Sequence, residues 1–457
     1  MKVRVFLTVL FFCLFSVGPA LSGQNKVDLS QSQMPSVVKV PPEALPSAHF
    51  DVEAATNAYL AQIPASARAR SDAYFEGGYW LILWDFLLAI FVYWILLHFG
   101  ISTKMRNVAA GISRFAFLQD IIYWVQFIIL LDLLTAPLEI YEGYFREHKY
   151  GLATQTFGPW LGDQAKELLV SVIAGAVLVP ILFWIVRKLP NTWHIWGALV
   201  TVIFMCVMVM ISPIYIFPLF NKITRLDDPK VTQPVLSLAH ANGIPANDVY
   251  KIDASRQSTR MSANVSGLGK TMRITMNDNL LRRGSPEEIQ SVMGHEMGHY
   301  VLNHIYRGMF FMAVTMILFF ILLRWGLDWS LARWGTKWGV HGIGDVAVLP
   351  LVFFIVTLCA FVFTPIGNSV SREDEHEADM YGLNASRQPD GFAQAAIHLG
   401  EYRKMNPGRL EEIIFYDHPA GRRRIHDAMQ WKSENLQLFQ NQLQPVENPV
   451  TAPTGSH

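Results

Sequence analysis

The chain of 457 residues is 51% hydrophobic and only 16% charged, with a mean hydropathy of +0.25, whereas an average soluble chain carries about 25% charged residues. Its 37 basic and 37 acidic side chains cancel, which argues against a nucleic-acid partner. Cys13, Cys206 and Cys359 each lie inside an apolar run, a placement that argues against a disulfide framework or a cysteine-based metal site and for three buried thiols.

In chain order, Lys2 and Arg4 precede an apolar core, and Ala20-Leu21-Ser22 supplies small residues where a signal peptidase cuts. Residues 1–22 are therefore read as a signal peptide, with an uncleaved anchor helix as the alternative. An exported segment, residues 23–76, follows. It starts as a Pro- and Ser-containing loose linker to about residue 47 and turns helical from about residue 50. Four apolar runs at 79–99, 121–138, 168–186 and 195–220 make residues 77–220 a region of four transmembrane helices, because ~20 apolar residues cross a bilayer. Asp85 and Asp132 fall inside these runs; such acids face either a hydrated interior or a local partner.

Two further runs, a short one at 308–323 and another at 346–366, place two more transmembrane helices in residues 305–367. They separate two polar regions, 221–304 and 368–435, which read as the halves of one interrupted unit. The polar tail, 436–457, contains prolines and is expected to be disordered. No internal repeat is visible.

The first polar half ends in GSPEEIQSVMGHEMGHYVLNH. Ser285 is an N-cap, Pro286 suits the first helical position and Glu288 completes a capping box, so the helix is expected to run through His304. On it His295 and His299, four residues apart, share a face, as two zinc ligands must. Glu296 points in a neighbouring direction, where it can take a proton from a water activated by zinc. Catalytic zinc takes a third protein ligand. The second half offers NSVSREDEHEADMYG, where Glu375 and Asp379 are again four apart on a helix ending near Gly382. Glu375 is assigned to the metal and Asp379 to the remaining ring N–H of a ligating histidine. His304, His376 and His426 turn away from these faces and are read as ordinary polar residues.

HEMGH followed much later by SREDEHEAD resembles the zinc-dependent type I CAAX prenyl endopeptidases and the bacterial heat-shock membrane proteases related to them. The SRxxExxxD pattern of that family matches Ser371, Arg372, Glu375 and Asp379. The resemblance implies a helical chamber in the membrane roofed by the zinc site, in which Asp85 and Asp132 would stand as lining. It also implies an edge strand that pairs with substrate. Asn264 matches the asparagine that precedes this strand, Val265 and Ser266 depart from the pattern, and residues 271–276 are expected to form the strand itself. The pattern HPxxxxRI maps onto His418, Pro419, Arg424 and Ile425, which implies a catalytic role for His418 at the oxyanion and substrate contact for Arg424.

The expected fold is a mainly α polytopic membrane bundle enclosing a chamber. It carries a metalloprotease domain, made of the HExxH helix, the glutamate helix and a small β edge, interrupted by a two-helix membrane insertion. The expected function is a membrane zinc metalloendopeptidase with one Zn2+ per chain. It acts on peptide or protein substrates, prenylated if the resemblance extends that far, within membrane lipid (the inner membrane in a bacterium). A quality-control protease is the rival among enzymes, and a transporter or scaffold with a structural zinc is the rival from another class.

Overall fold

The computed structural model describes residues 34–266 and 272–439. The signal segment, Cys13 and residues 440–457 of the tail lie outside them. Of the tail, residues 436–439 form a turn whose Phe439 is buried.

Among the described residues, six helical segments are long and apolar enough to cross a membrane: Ala65–His98, Ala116–Lys149, Phe157–Lys188, Trp193–Leu219, His304–Trp338 and Val346–Ser386. The helices of the N-terminal part are α1 (Val52–Ala61), α2 (Ala65–His98), α3 (Ile101–Ile112), α4 (Ala116–Ile140), α5 (Phe157–Lys188) and α6 (Trp193–Ile211). Their apolar residues encircle the helices, as a lipid-facing bundle requires. Trp80, Trp84, Phe91 and Trp94 are exposed on α2, while Leu81, Ala89, Val92 and Tyr93 of the same helix are buried. The inner seam is aromatic. Phe127 packs edge-on against Phe353 at 5.1 Å between ring centres, and Trp124 donates its indole N–H to the Val172 carbonyl. After α4 the chain continues through a π-helical turn, Tyr141–Arg146, to Lys149.

The polar region after α6 forms β1 (Ile223–Arg225), α7 (Pro229–Ala241), β2 (Val249–Ile252), β3 (Ala263–Ser266), β4 (Arg273–Asn277) and α8 (Asp278–Arg283). The sheet order is β1-β2-β4-β3: β2 and β4 are parallel, the other pairs antiparallel. The edge beside the HExxH helix is therefore β3, which includes Asn264. The strand expected at 271–276 is the inner strand β4, and β3 pairs with it through Asn264 opposite Thr275.

The remaining helices are α9 (Pro286–Val301), α10 (His304–Trp338), α11 (Leu349–Ser386), α12 (Pro389–Leu399), α13 (Arg409–Phe415) and α14 (Gly421–Glu434). Three sequence expectations change here. The HExxH helix stops at Val301 rather than running through His304, because Asn303 adopts φ 61°, ψ 32° and a new helix begins at His304. The short run at 308–323 lies in the N-terminal half of a 35-residue helix. The described part of the stretch before residue 47, residues 34–46, is no loose linker: Met34, Val38 and Ala44 are buried with Tyr59 of α1 against Phe392, Ile397, Ile425 and Trp431. Lys432 fixes it further, donating to the Ala44 carbonyl at 2.6 Å.

Candidate active site

Helix α9 starts as its sequence dictates, with Ser285 accepting from the Glu288 N–H and the Glu288 carboxylate accepting from the Ser285 N–H. Its buried face then crosses α11 at unusually short range. A Cβ on Gly382 would lie 2.7 Å from the His295 backbone nitrogen, and one on Gly298 would lie 3.1 Å from Ala378 Cα. Small residues at the crossing let the two backbones touch, and that contact sets how far the α9 histidines stand from the α11 carboxylates.

The result is a compact donor set. His295 Nε2 and His299 Nε2 are 3.1 Å apart; Glu375 Oε2 is 3.2 Å from the first and its Oε1 is 3.5 Å from the second. These three side chains form the group among the described residues that could hold a metal ion. Donors on one tetrahedral ion with bonds of 2.0–2.1 Å stand about 3.3 Å apart, so the spacing fits. Glu375 Oε2 is also buried without a well-directed hydrogen bond, although His295 Nε2 and His418 Nε2 both lie 3.2 Å away. A carboxylate oxygen left bare among imidazole nitrogens fits a cation.

Around this set the structure brings most of the sequence candidates together. His295 donates from Nδ1 to Asp379 Oδ1 at 2.7 Å, which leaves Nε2 facing Glu375. Glu296 is half-buried; burial is the main cause that raises its carboxyl above the ordinary value, with His295 and His299 pulling the other way. His418 donates from Nδ1 to Asp417 at 2.8 Å and turns Nε2 toward Glu375. Burial would raise the Asp417 carboxyl, but His418 and Arg403 bring it down to about 2. Asn264 lies on the β3 edge with its side-chain oxygen accepting from the Thr275 hydroxyl.

Arg424 departs from expectation. Its guanidinium forks onto Asp379, from Nε at 2.8 Å and from NH2 at 2.5 Å. It is buried behind the His295–Asp379 pair and does not offer those donors to a substrate. His376 lies 3.5 Å from Asp427 and His426 lies 3.6 Å from it, both off the cluster. His304, read from spacing as an ordinary polar residue, contacts His299, Nδ1 to Nδ1 at 2.9 Å. Spacing missed this contact because it depends on the turn at Asn303. The nearest signal in the sequence was that asparagine, a residue type that tolerates left-handed backbone.

A polytopic helical membrane protein whose HExxH helix faces a distant glutamate defines the class of membrane-embedded metallopeptidases. Residues 225–432 match peptidase family M48, and residues 53–222 match the CAAX prenyl protease N-terminal region, described as five membrane helices; among the described residues that stretch holds four candidate spans. The chain is 30% identical over 354 residues to the uncharacterized metalloprotease YhfN of Bacillus subtilis, covering 77% of this chain and 82% of that one. It is 30% identical over 312 residues to the CAAX prenyl protease 1 homolog of Oryza sativa subsp. japonica, covering 66% and 70%. The crystal structure of S. mikatae Ste24p superposes with a TM-score of 0.64 at 24% identity, covering 73% of this chain and 82% of that one. The chain belongs to peptidase family M48, as a multi-pass membrane metalloprotease.

Proposed function

We propose that the chain is a zinc endopeptidase in which His295, His299 and Glu375 bind one zinc ion and Glu296 is the general base. The convergence of the three donors at the separations of one ion's ligands supports it most directly. When bound, zinc polarises the scissile carbonyl and lowers the pKa of a water to about 7. Glu296 accepts that water's proton and delivers it to the leaving amine. Its burial suits this role, because a carboxylate of raised pKa is a stronger base. His418, which gives its Nδ1 proton to Asp417, donates to the oxygen on which charge develops when Nε2 also carries a proton. Asp379 keeps the His295 proton on Nδ1, and Arg424 keeps Asp379 in place. The β3 edge takes the peptide as an added strand, with Asn264 at that edge. Residues 221–304 and 368–435 act as the two halves of this catalytic unit, joined through the membrane helices α10 and α11.

The relative from rice is named a CAAX prenyl protease homolog, and that name supports a prenylated C-terminal peptide as substrate, processed in membrane lipid. A second reading, a quality-control protease, draws on the Bacillus subtilis relative, whose name specifies no CAAX substrate, and on the sequence tolerance of strand addition. In a bacterium either activity belongs to the inner membrane. Cleavage of a farnesylated CaaX peptide beside an unfolded protein decides between them. The site assignment is tested by Glu296→Gln, which should keep about one zinc per chain and lose general-base catalysis, typically worth 10²–10⁴-fold in rate. Turnover near the wild-type rate would remove Glu296 from the mechanism.

A further inference from the structure

The two candidate zinc-binding histidines are held in different ways. His295 gives its Nδ1 proton to a carboxylate, Asp379, at 2.7 Å. For His299 no carboxylate occupies that place. Its Nδ1 meets Nδ1 of His304 at 2.9 Å, and His304 Nε2 reaches Glu377 Oε2 at 3.1 Å.

The proton positions along this line follow from one requirement. If His299 presents a lone pair from Nε2, the nitrogen facing His295 and Glu375, its proton is on Nδ1. His304 Nδ1 must then accept, so the His304 proton sits on Nε2 and is donated to Glu377. We propose that His304 is a positioning residue that fixes the metal-binding tautomer and ring orientation of His299, with Glu377 as the anchoring carboxylate. The proposal rests on the zinc reading above.

The fold is built to make this contact. Five residues at about 100° each would carry His304 about 140° round a continuous helix from His299, out of reach. Asn303, in the left-handed region, breaks the helix and returns His304 to His299, ring centres 5.0 Å apart and nearly perpendicular. His304 is buried at 5% exposure, so water does not compete for its nitrogens. Glu377 is held in turn by Arg307, one turn along α10, at 2.9 Å; Arg307 also pairs with Asp374. The relay therefore ties the start of α10 to the glutamate helix α11 at the level of the site.

The test uses the full-length protein in detergent, with zinc affinity measured by chelator competition and folding by melting of the metal-free form. His304→Leu should weaken zinc by about 10–100-fold, the usual loss when such a partner is removed. His304→Asn, which restores an acceptor near Nδ1, should recover most of that loss. The pair His304→Leu and Glu377→Leu should together cost little more than His304→Leu alone, since both break one line, whereas His304→Leu with Asp379→Asn should be additive. Wild-type affinity in His304→Leu, an Asn variant as weak as Leu, or full additivity with Glu377→Leu would each overturn the relay. If His304→Leu does not fold, Glu377→Leu alone decides: a loss of zinc affinity supports the relay, and unchanged affinity overturns it. Failure of the wild type itself to bind zinc would instead refute the site.

Discussion

Two carboxylates four residues apart on α11 are held in different ways. Asp379 is fully engaged, by His295 at 2.7 Å and by both Arg424 donors. Glu375 carries a buried oxygen with no well-directed hydrogen bond. Glu375→Ala should therefore abolish zinc binding without lowering the melting temperature of the metal-free protein, since it removes a group held for function at a cost in stability. Asp379→Ala should weaken zinc by about 10–100-fold and also destabilise the fold, because it strands the buried Arg424 cation; breaking such a pair costs about 3–5 kcal/mol. Arg424→Met, which leaves the buried Asp379 carboxylate with His295 alone, should reproduce part of the destabilisation and the weaker zinc binding, with KM for a peptide little changed. A large rise in KM at intact zinc affinity would return Arg424 to the substrate. His295, His299, Glu375 and Asp379 were legible in sequence because each pair shares one helix, and helical geometry fixes what a four-residue spacing means. Arg424 and His304 were not legible: the first acts across 45 residues, and the second acts only after a break in the helix.

At the level of elements, the α9–α11 crossing turns two motifs into one site. Gly294 and Gly298 face α11, and Gly382 faces α9. The spacing of Gly294 and Gly298, a small residue every fourth position, is visible in the sequence as a close-packing signal, but their partner is not. Gly382→Ala places a methyl within 2.7–2.9 Å of the His295 backbone, so the helices must part. The expected cost is about 1–3 kcal/mol, typical of overpacking, together with weaker zinc binding, whereas Gly308→Ala, with nothing within 4 Å of its Cβ, should do neither. Equal melting temperatures and zinc affinities for the two variants would show that the crossing has slack. The apolar cores of the spans were legible from hydropathy; their ends were not. The helix α11 runs from Leu349 to Ser386, so membrane span and glutamate helix are one rod, and no change in periodicity marks where one becomes the other. The identity of the edge strand was illegible for a similar reason: β3 and β4 pair residue for residue, and only the parallel β2–β4 pairing decides which of them is left outermost.

For the molecule as a whole, the packing of residues 34–61 supplies what hydropathy alone lacked. Met34, Val38, Tyr59 and Leu60 share a core with Phe392, Ile425 and Met429, so the chain enters its first described span from the side that carries the site, whether or not residues 1–22 are cleaved. Six alternating spans then put the α2–α4 connection, the α5–α6 turn and the α10–α11 connection on the opposite face. That face holds Lys104, Arg106, Arg114, Arg187, Lys188, Arg324, Arg333 and Lys337 against Asp120, Asp328 and Asp345, Asp120 being paired with Arg187, while residues 139–167, on the site's side, carry Glu139, Glu142, Glu147, Asp163 and Glu167 against Arg146, Lys149 and Lys166. Lys and Arg near span ends are kept in the cytoplasm, so we predict that the opposite face is cytoplasmic and that the candidate site is exported. Cytosolic exposure would require the basic face to lie outside, against that bias. The prediction is checked by two reporters at the C-terminus, one active only in the cytoplasm and one only after export. Export should light the second alone. Activity of the first would turn the molecule over, and would place the β3 edge where cytosolic proteins, rather than exported ones, can reach it.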